Sequence, residues 1–246
     1  MRYVLLLIGF GIVAALGSAH VAAHYGKSFT IPVELQKYNP PYADEVLAKL
    51  TAAERVAARK NAARVGGTVG GLFAAMAALA VAVATGRGMR TGWRAVVLGL
   101  FIGAALGAGG GVLNQIIYAE LKRAGNDPFV MTALSHGAMW VGVAIAFALT
   151  TRLAAGSRGP GLPHAAGVLV VCAGIHAALY PFLAAAFLPL SRADQPVPEG
   201  NLNVLLWIGL PALLFNMAAG RMLAAKAAAR AAEDAEGETP ATPATV

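Results

Sequence analysis

Charge is scarce in this chain. Only 13% of its 246 residues are Asp, Glu, Lys or Arg, where a soluble domain carries about 25%. The few charges fall in short segments between uncharged runs of about 18 residues or more, the length that crosses ~30 Å of hydrocarbon. A soluble globular surface is thereby excluded. The single cysteine, Cys172, excludes an intrachain disulfide and any multi-cysteine metal or iron–sulfur centre; lying in an apolar run, it reads as a small buried residue. Carboxylates are missing from the spans, which argues against a carrier coupled to protons or sodium. Catalytic signatures are missing as well: there is no Walker loop, no nucleophile elbow, no His-Glu-x-x-His and no aspartate pair in a span. The expectation is a protein without catalytic activity. A net charge of +7 would suit nucleic acid if a basic patch were interleaved with aromatics, but none is. Basic loops beside membrane spans account for the excess, so nucleic acid is not an expected partner.

What is abundant is apolar surface: 58% of residues are hydrophobic and the mean hydropathy is +0.64. The expected fold is all-α, a polytopic transmembrane helix bundle of about six spans. Residues 1–25 form the first span or a secretory signal peptide, since Gly17-Ser18-Ala19 resembles a cleavage site; cleavage would leave five spans. Residues 26–66 form an extracytoplasmic loop, extended around Pro32, Pro40 and Pro41 and helical from Asp44, a good N-cap. Val46, Leu47, Leu50, Val56 and Ala57 give that helix an apolar face, against Lys49, Arg55, Arg59, Lys60 and Arg64. It either lies along the bilayer surface or extends the second span into solvent. Residues 67–223 hold the five-helix transmembrane bundle, with Pro128 opening the fourth span and Pro181 able to kink the fifth. Residues 224–246 form a disordered cytoplasmic tail, with Lys226 and Arg230 in an alanine-rich helical extension ahead of the closing Thr/Pro/Ala stretch.

Glycine is the strongest pattern. Gly99, Gly103, Gly107 and Gly111 stand four residues apart and form one bare stripe on a helix. Gly66, Gly67, Gly70 and Gly71 give a companion stripe on the preceding span. Such stripes let two backbones touch in lipid, so the two spans read as a tightly packed central hairpin, a glycine zipper.

Threading follows from Lys and Arg. With the N-terminus in the cytoplasm, inner segments hold nine of these residues and the short outer loops three; the long loop adds seven outside. The expected location is the bacterial inner membrane, with the N-terminus cytoplasmic.

Polar residues within spans are costly and raise the question of function. They are His20, His24, Asn114, Gln115, Ser135, His136, Cys172, His176, Tyr180 and Asn216, mostly toward the outer half. No cofactor is required by any motif. The alternative is a divalent metal: His20 and His24 are four apart on one helical face, and His136 or His176 could complete an imidazole set. The bland reading is interhelical hydrogen bonding, worth about 0.6 kcal/mol per contact in membranes.

The segment His136-Gly-Ala-Met-Trp140 resembles one in uncharacterised alanine- and glycine-rich multi-pass proteins of planctomycete-type bacteria. The order of basic amphipathic segment, glycine hairpin and His-Gly-x-x-Trp span is similar over roughly residues 45–190. That resemblance implies a membrane bundle and brings no activity. The expected role is structural, or a component of an assembly, with the lipid bilayer and other membrane proteins or a second copy as partners. The alternative is a small-solute or divalent-metal permease using the outer histidines.

The threading has a direct consequence. In a Cys172→Ala background, Ser28→Cys should react with an impermeant maleimide on intact cells, and Thr91→Cys only after permeabilisation. The opposite labelling pattern would invert the topology.

Overall fold

The computed structural model describes residues 2–38, 40–188 and 195–237. They form α1 (Arg2–Tyr25), the one-turn α2 (Val33–Gln36), α3 (Asp44–Ala84), α4 (Met89–Arg123), α5 (Pro128–Ala155), α6 (Leu162–Phe187) and α7 (Asn201–Gly237). A 3₁₀ turn, Gly156–Arg158, joins α5 to α6. Among the described residues there is no strand, and six helices, all but α2, are long and apolar enough to cross a membrane. The chain is a multi-pass helical bundle.

The largest departure from the sequence boundaries is α3. Residues 44–66 do not form a separate helix: α3 runs unbroken for 41 residues, about 60 Å at 1.5 Å per residue. The cause is local, because residues 44–65 contain neither glycine nor proline and are rich in alanine. Of the two arrangements expected for this segment, a helical extension of the span is the one observed. Asp44 does not cap the helix; the N-cap is Ala43, and Asp44 with Glu45 sits in the first turn, where carboxylates suit the helix dipole. Residues 224–237 continue α7 as a helical extension through Lys226 and Arg230, since alanine is the best helix former. The remainder of the tail, from Glu238, lies outside the described residues. Asp127 caps α5 by accepting from the Phe129 amide at 2.8 Å, with Pro128 at the first helical position. Pro181 lies inside α6 without ending it. The turns after α3 and α4 are short because Gly86 and Gly125 take positive φ, +62° and +70°.

The α3–α4 hairpin is the most extensive helix pair, followed by α4 on α5. In addition, α1 packs on α3 and α7, and α6 bridges α5 and α7. Helices α1, α3, α5, α6 and α7 therefore close a ring, and α4 lies in the outer groove between α3 and α5. The glycines set the hairpin distance. A methyl added at Gly66 would land on the carbonyl oxygen of Gly107, and one at Gly70 on that of Gly103. The reverse substitutions meet the same partners, and a methyl at Gly111 would strike the carbonyl of Ala62. A methyl added at Gly67, Gly71 or Gly99 would lie 3.2, 3.2 or 3.0 Å from the carbonyl oxygens of Ala104, Leu100 and Ala74. The α4–α5 contact uses the same device. A methyl at Gly110 would lie 2.9 Å from the Met139 carbonyl and one at Gly142 2.7 Å from that of Leu106.

Substitution separates packing from helix propensity. Gly107→Ala should force α4 off α3 and cost about 1–3 kcal/mol, whereas Gly109→Ala faces open space and should be neutral or mildly stabilising. Unfolding midpoints in detergent micelles read the difference; equal effects would show that the glycine contact does not govern the pair.

Candidate functional site

Three helices each contribute two polar or aromatic side chains one turn apart, on the same helical face. These are His136 and Trp140 from α5, His176 and Tyr180 from α6, and Asn203 and Trp207 from α7. All six are at most 2% exposed. Their rings interlock. Trp140 meets His176 at 5.1 Å and Trp207 at 5.6 Å between centroids, and His136 meets Tyr180 at 5.2 Å and Trp207 at 5.5 Å. Tyr180 also meets His176 at 5.9 Å. The Tyr180 hydroxyl donates to Asn203 Oδ1 at 2.6 Å. Below the cluster, Phe73, Phe147 and Phe215 continue the aromatic core.

The packing is complete but the hydrogen bonding is not. His136 Nδ1, Trp140 Nε1, both ring nitrogens of His176, Asn203 Nδ2 and Trp207 Nε1 are buried without a protein partner. A buried donor or acceptor left unpaired costs about 1–3 kcal/mol, and six are concentrated here. Pro181 and Pro211 lack the N–H that would bond the carbonyls of Ala177 and Trp207, both beside the cluster. The site therefore offers indole and amide donors and imidazole nitrogens of either role. Among the described residues, no Asp, Glu, Lys or Arg belongs to it.

A strap closes the cluster on the side of the 26–66 loop. Gln195–Glu199 lies over the bundle with Pro196 and Pro198 buried. The buried Asn114 of α4 donates to the Pro196 carbonyl at 2.7 Å. His136 Nε2 lies 2.9 Å from the Gln195 carbonyl. A carbonyl only accepts, so Nε2 carries the proton and Nδ1 of the neutral ring is left as an acceptor. Lys27 and Glu199 pair at 2.6 Å at the exposed edge, a contact worth little in water.

The four histidines singled out from the sequence fall into two places. His136 and His176 belong to the cluster. His20 and His24 are exposed on α1, their rings 4.5 Å apart between centroids, and α1 packs on α3 and α7. Among the described residues, no three His, Cys, Asp or Glu side chains are grouped to hold a metal. Ser135 bonds within its own helix, to the Thr132 carbonyl at 3.3 Å. Asn216 bonds the Ala212 carbonyl at 2.7 Å and packs on Gly11 of α1. Gln115 lines an outer groove with Arg55, Arg59 and Tyr118, and Cys172 is a half-buried free thiol. Asn203 and Trp207 were not singled out. Their signal is the same one-turn pairing of a polar group with an aromatic that marks His136/Trp140 and His176/Tyr180. Set against protein-family models, curated proteins and solved structures, the chain matches none.

The unpaired atoms make an unusual stability prediction. His176→Phe removes two unsatisfied nitrogens at similar volume and should leave stability unchanged or raised. Tyr180→Phe breaks the bond to Asn203 and should cost about 1 kcal/mol. Thermal midpoints of both variants in one detergent decide; a large loss for His176→Phe would mean that its ring is already satisfied.

Proposed function

We propose that this chain is a non-catalytic bacterial inner-membrane protein, N-terminus in the cytoplasm, that takes a small uncharged polar solute into the His136–Trp140–His176–Tyr180–Asn203–Trp207 cluster and passes it across the bilayer. The observation that carries this reading is the set of unpartnered polar atoms, contributed by three helices and buried inside the bundle. Polar side chains at that depth are costly and mark solute pathways by default. The cluster's chemistry selects the cargo class: among the described residues it offers donors and acceptors together and no fixed counter-charge, so an ion there would be buried uncompensated. Pro181 and Pro211 supply bending points in α6 and α7 next to the cluster, which a site opening alternately to either side requires. The strap over His136 is the barrier on the loop side.

A divalent metal is the second cargo reading, favoured by the His20–His24 ring pair and the unpartnered nitrogens of His176. Zinc or cobalt binding to the protein in nanodiscs, lost in His20→Ala/His24→Ala and His176→Ala variants, would support it.

The primary test is solute permeability of proteoliposomes under glycerol and urea gradients, read by stopped-flow light scattering. Wild-type protein should accelerate the flux over protein-free liposomes, and His176→Phe and Asn203→Leu should remove the acceleration while remaining folded. Flux equal to that of protein-free liposomes for both solutes would instead favour a structural or assembly role.

A further inference from the structure

We propose that the cleft between the α3–α4 and α5–α6 turns binds the phosphate of an anionic phospholipid headgroup. The cleft measures about 350 Å³ and is lined by Gly86, Arg87, Gly88, Ala155, Ser157 and Arg158. Its two arginines cross. Arg87 Nη1 donates to the carbonyls of Leu153 and Ala154 at the end of α5, at 3.4 and 3.2 Å. Arg158 Nη1 donates to the Thr85 carbonyl at the end of α3, at 2.6 Å. Each guanidinium is thus positioned by carbonyls of the opposite turn rather than by a carboxylate. Among the described residues no carboxylate pairs with either guanidinium, and the remaining N–H groups have no partner.

Nothing acidic lines the cleft. The chain carries no Asp or Glu between Glu54 and Glu120, or between Asp127 and Asp194. Among the described residues, Asp234 lines the adjoining cleft of about 320 Å³ with Arg158 and Arg230. The N-terminus of α4 opens at the same place: its N-cap, Gly88, provides no side-chain cap, so the first backbone N–H groups of the helix remain free for an anion. Depth is indicated by Trp93, 66% exposed about one turn into α4, with Arg90 and Arg94 exposed beside it. An exposed indole flanked by arginines belongs at the headgroup level of a bilayer. A phosphodiester suits two guanidinium forks and a helix N-terminus, and basic pockets between spans take acidic headgroups. Dissolved phosphate shares that chemistry but has no acyl chains to hold it at this depth.

The test is native mass spectrometry of the full chain in detergent, titrated with phosphatidylglycerol or phosphatidylcholine. Wild type should bind phosphatidylglycerol about tenfold more tightly. The decisive variant is Gly88→Asp. Gly88 has φ −55° and open space beyond its α-carbon, so Asp fits and can cap α4, which preserves the fold. Its carboxylate would occupy the arginine cleft, and the preference should vanish. Lys122→Gln with Arg123→Gln, at the opposite end of the bundle, should retain it. Equal binding of the two lipids by wild type, or an undiminished preference in Gly88→Asp, overturns the proposal. So does inorganic phosphate that binds wild type and displaces no phosphatidylglycerol, which would make the cleft a site for the dissolved anion.

Discussion

Backbone-on-backbone contact between α3 and α4 is the interaction around which the other helices are arranged. In lipid an apolar side chain gains nothing by leaving the acyl tails, so association must come from close packing. Gly66 and Gly70 against Gly107 and Gly103 bring carbonyl oxygens where Cβ atoms would otherwise stand. At that separation Cα–H···O contacts add about 0.5–1 kcal/mol each. Gly110 and Gly142 repeat the device toward α5, so α4 is clasped from two sides while Leu98, Phe101 and Leu113 keep its outer face exposed. With one face of α3 committed to α4, its neighbouring face (Val65, Val69, Phe73 and Ala77) turns into the ring and is buried.

The inside of the ring is built by the opposite means. There the bulk comes from Trp140, Trp207, Phe73, Phe147, Phe215 and Tyr180, all at 1% exposure or less. Trp140 is the joint between the two modes. One side of α5 offers Gly142 to α4, and its other side presents an indole that reaches Phe73 of α3, His176 of α6 and both Trp207 and Phe215 of α7. The polar cluster is an extension of this aromatic core toward the loop end, and the same rings that exclude lipid also keep its nitrogens from finding partners.

Local periodicity explains what was legible in the sequence. Both glycine stripes repeat every four residues within a single helix, so the stretch from Gly66 to Gly71 and that from Gly99 to Gly111 could be read without knowing their surroundings. Span number followed from apolar run length for the same reason. The cluster was only half legible. His136, His176 and Tyr180 stand out as polar residues within spans, but Asn203 sits at the start of its span, where asparagine is unremarked. What joins Asn203 to Tyr180 is a contact between α6 and α7, which no local pattern encodes. The same limit applies to the histidines. A four-residue spacing correctly placed His20 beside His24, but whether a helix pair approaches His136 or His176 depends on the ring order. Residues 44–66 were ambiguous because polarity changes at Gly66 while helix propensity does not. Backbone continuity follows propensity, so the helix runs through.

The two ends of the bundle solve the problem of free helix termini differently, and the difference bears on where motion is permitted. At the arginine end, Arg87 and Arg158 each bond the final carbonyls of the other hairpin, and Arg152 and Arg230 bond carbonyls of the Gly156–Arg158 turn and Gly159. These charge-assisted bonds tie α3, α5 and α7 together where their ends meet. At the loop end the ties among the described residues include the exposed Lys27–Glu199 pair, the bonds between Asn61 and the Phe29 backbone, and two side chains holding the strap. Pro181, directly after Tyr180, and Pro211, one turn after Trp207, weaken α6 and α7 next to cluster residues. A bundle under selection only to stand in the membrane gains from filling position 176 with phenylalanine and from an intact α6 ladder. The unsatisfied imidazole, the two indole donors and the two interrupted helices are, on the proposed reading, retained in one place because something polar visits them. On the proposed reading, the arginine end is the anchored base and the strap end the part that yields.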